Sequence, residues 1–152
     1  MELNYKSVIH PGAVAVDVPA ANKEEAFQYI CQLLYDAGVM DSVEDFKRDL
    51  YLREAEGQTG IGNGVAIPHG KSLAVKDTCI SVIKLREPIE WETLDGEPVR
   101  VLICFAVNEA DKTSTFLRMM AQVACKLAYQ ETIDKLMEAK TPEDLLNALD
   151  CA

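Results

Sequence analysis

The 152-residue chain is poor in positive charge, in histidine and in long apolar runs, and each shortage removes a class of function. Fifteen basic residues stand against 25 acidic ones, a formal net charge of −10, so a polyanion would be repelled and nucleic acid is not expected as a partner. No apolar stretch reaches roughly 18 residues and no N-terminal apolar segment resembles a signal, from which a soluble, cytoplasmic protein is expected. Only two histidines occur, His10 and His69, and no cysteine or carboxylate stands at ligand spacing to His69, so no metal is expected. The five cysteines, Cys31, Cys79, Cys104, Cys125 and Cys151, are odd in number and lack a C-x-x-C pair. Four of them lie inside apolar runs and read as small buried hydrophobes in a reducing compartment. Internal repeats, low-complexity tracts and extended linkers are also missing.

What is present suits one well-buried core. At 49% hydrophobic content the chain reads as a single domain over residues 1–152. The acidic excess fits an ordinary solubilising surface or the complement of a partner with a basic rim.

The elements follow from periodicity and end signals. Ala13 to Val18 reads as a strand that opens the sheet. Asn22, with Glu25 three residues on, caps a helix that buries Ala26, Phe27, Ile30, Cys31, Leu34 and Ala37 and stops at Gly38. Asp41 or Ser42 caps a second helix with Val43, Phe46 and Leu50 on one face and Arg53 near its end. Thr78 to Leu85 reads as a strand, and Val99 to Val107, almost continuously apolar, as a central one. Asp95-Gly96 between them signals a turn, with Pro88 and Pro98 limiting regular pairing. A helix from about Thr115 to Tyr129 carries Phe116, Met119, Met120, Val123, Ala124 and Leu127. Two shorter helices follow, one with Ile133, Leu136 and Met137, the other with Thr141 as cap and Pro142 at its first position. Such an order gives a mixed sheet with helices on both faces.

The segment Arg53 to Ser72, R-E-A-E-G-Q-T-G-I-G-N-G-V-A-I-P-H-G-K-S, is the centre of the chain. Gly60, Gly62 and Gly64 permit a bent backbone, and Pro68 forces Ile67 into an extended conformation. His69 is therefore expected where a strand ends, with Gly70 leaving room beside the imidazole for a bulky partner. Two glycine motifs fail here. Val65 occupies the place of the third glycine of a dinucleotide fingerprint, and also the place of the first glycine of a P-loop that would end in Gly70-Lys71-Ser72. Ser72 lies outside any nucleophile elbow, and no carboxylate is identified to orient His69 in a hydrolase triad. A histidine presented without a nucleotide cradle suggests a nucleophile that receives its group from another molecule. The neutral imidazole has an ordinary pKa near 6.5, and one ring nitrogen must be held by an acceptor, most simply a backbone carbonyl of the loop, while the other is free.

T-G-I-G-N-G-V-A-I-P-H-G, preceded by Arg53-Glu54, resembles the active-site signature of the fructose/mannitol family of enzyme IIA, phosphocarrier domains of the bacterial phosphoenolpyruvate-dependent sugar phosphotransferase system. E-P-I-E-W, L-D-G-E-P-V and T-P-E-D-L-L-N-A-L resemble later segments of that family. The resemblance implies an α+β fold, a three-layer α/β/α sandwich with a mixed sheet and the histidine in a shallow depression at its edge. It implies that His69 accepts a phosphoryl group through Nε2 from a histidine phosphocarrier protein and passes it to a sugar-specific enzyme IIB. A membrane enzyme IIC is then served indirectly, with no nucleotide or metal cofactor. The nitrogen-regulatory branch carries a similar signature, and there the phosphorylation state would control partner proteins.

Arg53, sixteen positions before His69, matches the family's active-site arginine and is assigned to phosphoryl positioning, since a guanidinium can hold two phosphoryl oxygens. Thr59 and the loop N–H groups are candidate further donors, and Gly70 and Phe116 are assigned to the phosphoryl pocket or partner surface. Glu54 and Glu56 would oppose a dianion, so they are expected to face water or Arg53. Many family members carry a second histidine, followed by leucine, where this chain has Phe116-Leu117.

Overall fold

The computed structural model describes residues 5–150. In chain order the elements are α1 (Tyr5–Val8), β1 (Ile9–Val18), α2 (Lys23–Asp36), α3 (Val43–Glu54), β2 (Gly60–Gly62), β3 (Val65–Ala66), β4 (His69–Ser72), β5 (Cys79–Ile89), β6 (Val99–Asn108), α4 (Thr113–Leu127), α5 (Gln130–Glu138) and α6 (Pro142–Asp150). The six strands form one sheet in the order β1-β5-β6-β3-β2, with β4 also pairing with β6. Pairing is parallel for β1 with β5, antiparallel for β5 with β6, and parallel for both β3 and β4 with β6. This is the expected mixed sheet of an α+β fold.

The near-continuous apolar character of β6 follows from its place at the centre, where both faces are covered. Its side chains alternate. Leu102, Cys104 and Ala106 pack into a core with Phe27, Ile30 and Leu34 of α2 and Phe46 and Leu50 of α3. Val101, Ile103, Phe105 and Val107 join a second core with Phe116, Met119 and Val123 of α4, Leu136 of α5 and Leu145 of α6. The sheet is thus the middle of three layers.

Three of the helix starts, those of α2, α3 and α6, are fixed by short local bonds. Asn22 Oδ1 accepts from Glu25 N at 2.9 Å, Ser42 Oγ from Asp45 N at 3.2 Å, and Thr141 Oγ1 from Asp144 N at 3.1 Å; each such cap is worth about 1 kcal/mol. Of the two candidates for the second helix, Ser42 is the cap.

Three expectations are corrected. β1 begins at Ile9, four residues before the expected strand, and β5 runs on through Pro88 to Ile89. Pro88 is accommodated because the β5–β6 register shifts between Lys84 and Ile89, where the missing N–H breaks no regular ladder. Cys125 is exposed, unlike Cys31, Cys79 and Cys104. The buried stripe of α4 is Phe116, Met119, Val123 and Leu127, and a residue two positions after Val123 falls away from that stripe at helical spacing. Cys151 lies outside the described residues.

Candidate functional site

α3 ends at Glu54 and carries Arg53 in its last turn. The chain then reaches β2, turns and returns as β3, antiparallel to it. The turn residues are Asn63 and Gly64, with φ of 56° and 79°, the two positive values that a two-residue type I′ hairpin requires. Asp95, in the turn before β6, accepts from Asn63 N at 3.0 Å and from Glu97 N at 3.1 Å, so the two loops brace each other. Gly60 does not bend the chain as expected. It lies in β2, and a Cβ there would stand 2.3 Å from Thr93 Cγ2 and 2.5 Å from the Glu92 carbonyl oxygen. Glycine allows that close approach.

β3 pairs with β6 at Val65 and Ala66, pairing lapses at Ile67-Pro68, and β4 resumes it with His69 opposite Phe105. His69 therefore opens a second short strand rather than closing the first. Proline has no N–H to contribute at the break, but its carbonyl still accepts from Phe105 N at 3.0 Å. The interruption aims the imidazole back along the chain, so that His69 Nδ1 lies 3.1 Å from the Ile67 carbonyl oxygen.

His69 Nε2 lies 2.9 Å from Arg53 Nε, which donates to it. An imidazole nitrogen that accepts from a guanidinium must carry its lone pair, so the ring is neutral with its proton on Nδ1, where the Ile67 carbonyl takes it. Burial lowers the His69 pKa below its ordinary 6.5 and the Arg53 charge lowers it further, while the bond to Ile67 and the charges of Glu54 and Glu56 pull the other way. The Arg53 Nη1 group donates to the Gly57 carbonyl at 2.9 Å. The sequence-predicted pair is thus in direct contact across sixteen residues.

The remaining predicted residues are placed differently from one another. Phe116 sits in the second core with 8% of its surface exposed, and its ring centroid is 6.2 Å from that of His69; it is core and wall at once. The N-terminal turn of α4 that carries it is tied to β4 by Lys71 Nζ donating to Thr113 Oγ1 at 3.1 Å. The side of Gly70 on which a side chain would stand faces α3. A Cβ there would stand 3.1 Å from Phe46 Cε1, so the missing side chain lets α3 pack on β4. Thr59 is buried, and its hydroxyl donates to Glu54 Oε1 and accepts from Trp91 Nε1 at 3.3 Å. Its single proton is committed, which leaves none for a phosphoryl oxygen. Glu56 is exposed, but Glu54 faces neither water nor Arg53. Its side chain is 7% exposed and its Oε2 pairs with Lys23 Nζ at 3.1 Å.

Sequence reasoning overlooked Lys23 and Trp91, which come from α2 and the segment after β5 to meet Glu54 and Thr59; Lys23 Nζ also lies 4.5 Å from the Trp91 ring centre. No local pattern marks Lys23, and E-P-I-E-W includes Trp91 without indicating where its side chain goes. The Asn63-Gly64 dipeptide was a local hairpin signal that the glycine count obscured. Among the described residues no three His, Cys, Asp or Glu side chains form a group able to hold a metal ion, and no helix is long and apolar enough to cross a membrane. The arrangement can offer a neutral imidazole nucleophile of defined tautomer beside a cation fit for anionic oxygens.

The family described as "Phosphoenolpyruvate-dependent sugar phosphotransferase system, EIIA 2" matches residues 7–151. The chain is 34% identical over 149 residues, 97% of its length, to the 2-O-alpha-mannosyl-D-glycerate-specific EIIABC component of Escherichia coli, of which it spans only 23%. It is 31% identical to the nitrogen regulatory protein of Pseudomonas aeruginosa, over 94% of this chain and 92% of that one. The crystal structure of nitrogen regulatory protein IIA-Ntr from Neisseria meningitidis superposes with a TM-score of 0.86 at 28% identity, covering 95% of this chain and 97% of the other.

Proposed function

The chain belongs to the EIIA 2 family of the phosphoenolpyruvate-dependent sugar phosphotransferase system, and from that premise we propose that it acts in the cytoplasm, as one domain, as a phosphocarrier with His69 as its phosphorylated residue. The observation that carries the proposal is the bond from Arg53 Nε to His69 Nε2 together with the Ile67 carbonyl at Nδ1. The two fix a neutral ring whose Nε2 lone pair faces the cation.

In the forward step the Nε2 lone pair attacks the phosphorus of a phosphohistidine on the histidine phosphocarrier protein. The donor's P–N bond breaks and its electron pair returns to the donor ring. Arg53 turns its N–H groups from Nε2 to the phosphoryl oxygens, where charge-assisted bonds are worth about 1.5–3 kcal/mol. The proton stays on Nδ1, hydrogen-bonded to the Ile67 carbonyl, throughout. It leaves the phosphorylated ring cationic, so in the second step, transfer to an enzyme IIB, His69 departs as neutral imidazole. Both steps are in-line transfers in which positioning and charge do most of the work. The E. coli relative is named as a combined EIIABC component, which supports an enzyme IIB as acceptor and an enzyme IIC as the membrane partner served through it.

The test is incubation with labelled phosphoenolpyruvate, the upstream carriers and candidate enzyme IIB domains, with mapping of the acid-labile label. Label on His69 and its loss in His69→Gln are expected. Label on His10, or undiminished labelling of His69→Gln, overturns the proposal. The similarity to nitrogen regulatory proteins over more than nine-tenths of their length favours a second reading, in which the phosphorylation state controls a partner protein. Labelled chain that passes nothing to any enzyme IIB would select it.

A further inference from the structure

A closed circuit links the two residues of the site. Arg53 donates to His69 Nε2, His69 Nδ1 donates to the Ile67 carbonyl, Ile67 N donates to the Thr59 carbonyl at 2.9 Å, and the Thr59 hydroxyl donates to Glu54. Glu54 is bonded through the peptide to Arg53, which completes the ring. Apart from the two bonds that the His69 ring itself makes, Glu54–Thr59 is the one link in this circuit made by a side chain; the rest are a backbone bond and covalent bonds. That side-chain link therefore joins the end of α3, which aims Arg53, to the strand pair that aims His69.

The position of Glu54 is unfavourable unless something holds it there. A carboxylate at the C-terminal end of a helix opposes the macrodipole, and one with 7% of its side chain exposed has lost most of its hydration. Both oxygens are nonetheless satisfied. Oε1 takes the Thr59 proton and Oε2 takes Lys23, which is itself held by Glu92 at 2.6 Å. Trp91 Nε1 holds the Thr59 hydroxyl from the other side, so its proton points to Glu54.

We propose that Glu54 is a positioning residue for transfer at His69, acting through the Thr59 hydroxyl to hold Arg53 and the Ile67 carbonyl on opposite nitrogens of one imidazole. This rests on His69 being the phosphorylated residue. Glu54 touches neither the ring nor the incoming group; it sets the distance between the two supports of the ring. A misplacement of about 1 Å can cost on the order of 100-fold in rate, so one hydrogen bond remote from the chemistry can govern it.

The test compares Glu54→Ala, which removes the acceptor of the Thr59 proton, with Glu54→Gln, which keeps an acceptor oxygen in the same place. Ring nitrogen NMR reports the His69 tautomer without any phosphate, and transfer from the phosphocarrier protein is measured per folded molecule beside thermal melts. Glu54→Ala should mix the two tautomers and slow kcat about tenfold with donor KM within about twofold, and Glu54→Gln should restore both readouts. Should Glu54→Ala fail to fold, Thr59→Val severs the same bond from the other end and Thr59→Ser restores it. Variants that melt lower yet keep the Nδ1–H signature and the wild-type rate would overturn the proposal and leave Glu54 a stability residue. A wild-type chain that takes no label on His69 would instead overturn the phosphocarrier reading, while the tautomer comparison still decides what Glu54 does to the ring.

Discussion

Arg53 Nε lies 2.9 Å from His69 Nε2 and donates to it, so the cation proposed for the phosphoryl oxygens rests on the nitrogen proposed to attack phosphorus. The contact holds the lone pair on that nitrogen, yet the same lone pair is unavailable until the guanidinium turns aside. An arriving phosphoryl group offers Arg53 anionic acceptors in exchange for a neutral one, and charge-assisted bonds to such oxygens are roughly twice as strong. In the proposed transfer, that exchange would make release of the nucleophile depend on the presence of the group it takes.

Arg53→Gln should slow transfer in both directions by about 10- to 100-fold, the loss of one charge-assisted bond. Its melting point should stay within about 5 °C of wild type, because Arg53 is only partly buried and its other bond runs to the exposed Gly57 carbonyl. Arg53→Lys should recover part of the rate and none of the fixed geometry. Unchanged rates would remove Arg53 from the chemistry.

The His69 pKa lies below 6.5, chiefly because burial disfavours the cation. Acceptance of phosphate should therefore be flat above neutral pH and decline only below the ordinary histidine value. Stability has the same sign. As pH falls below about 6.5 the unfolded chain binds a proton that the folded ring refuses, so stability present at neutral pH is lost between 6.5 and the lower folded pKa. Denaturant midpoints of wild type and His69→Gln over that interval check the claim; parallel curves for the two would contradict it.

Phe116 separates two effects that its place combines. Phe116→His puts a polar ring at a position 8% exposed and should lower stability by about 1–3 kcal/mol, while giving the phosphoryl group a donor that lengthens the lifetime of phospho-His69. Phe116→Leu should lower stability by about 1 kcal/mol and change donor affinity more than lifetime. Equal lifetimes in wild type and Phe116→His would show that the side chain does not reach the group.

Gly70→Ala should cost about 1–3 kcal/mol, because its Cβ would press on Phe46 at 3.1 Å, and the folded fraction should transfer phosphate normally. A raised donor KM at an unchanged melting point would mean that the glycine serves partner approach instead of α3.

Much of this protein was legible one residue at a time. The helix caps at Asn22, Ser42 and Thr141, the apolar run of β6 and the Asp95-Gly96 turn are signals whose donors, acceptors or buried faces lie within a few residues of one another. The contact between His69 and Arg53 was foreseen from the position of a cation at a helix end and from a family signature; a loop carbonyl on one ring nitrogen was foreseen from the ring's own chemistry, and that Nε2 is the other nitrogen only from the signature. These are matters of local backbone geometry and of what an imidazole requires.

The destination of side chains depended on the tertiary structure. Glu54 was expected to face water or Arg53, but Lys23, thirty-one residues earlier, and the Thr59 hydroxyl draw it inward. Gly70 was read as room for a partner, and α3 sets Phe46 against the side on which its side chain would stand. Trp91 comes to Thr59 from thirty-two residues away with no periodicity to announce it. A sequence determines which atoms can donate, accept or pack, and over the span of a turn it often determines with whom. Across longer separations the partner is whatever the packed layers bring within about 3 Å, and only the assembled sheet, with α2 and α3 laid on one face and α4 to α6 on the other, decided that.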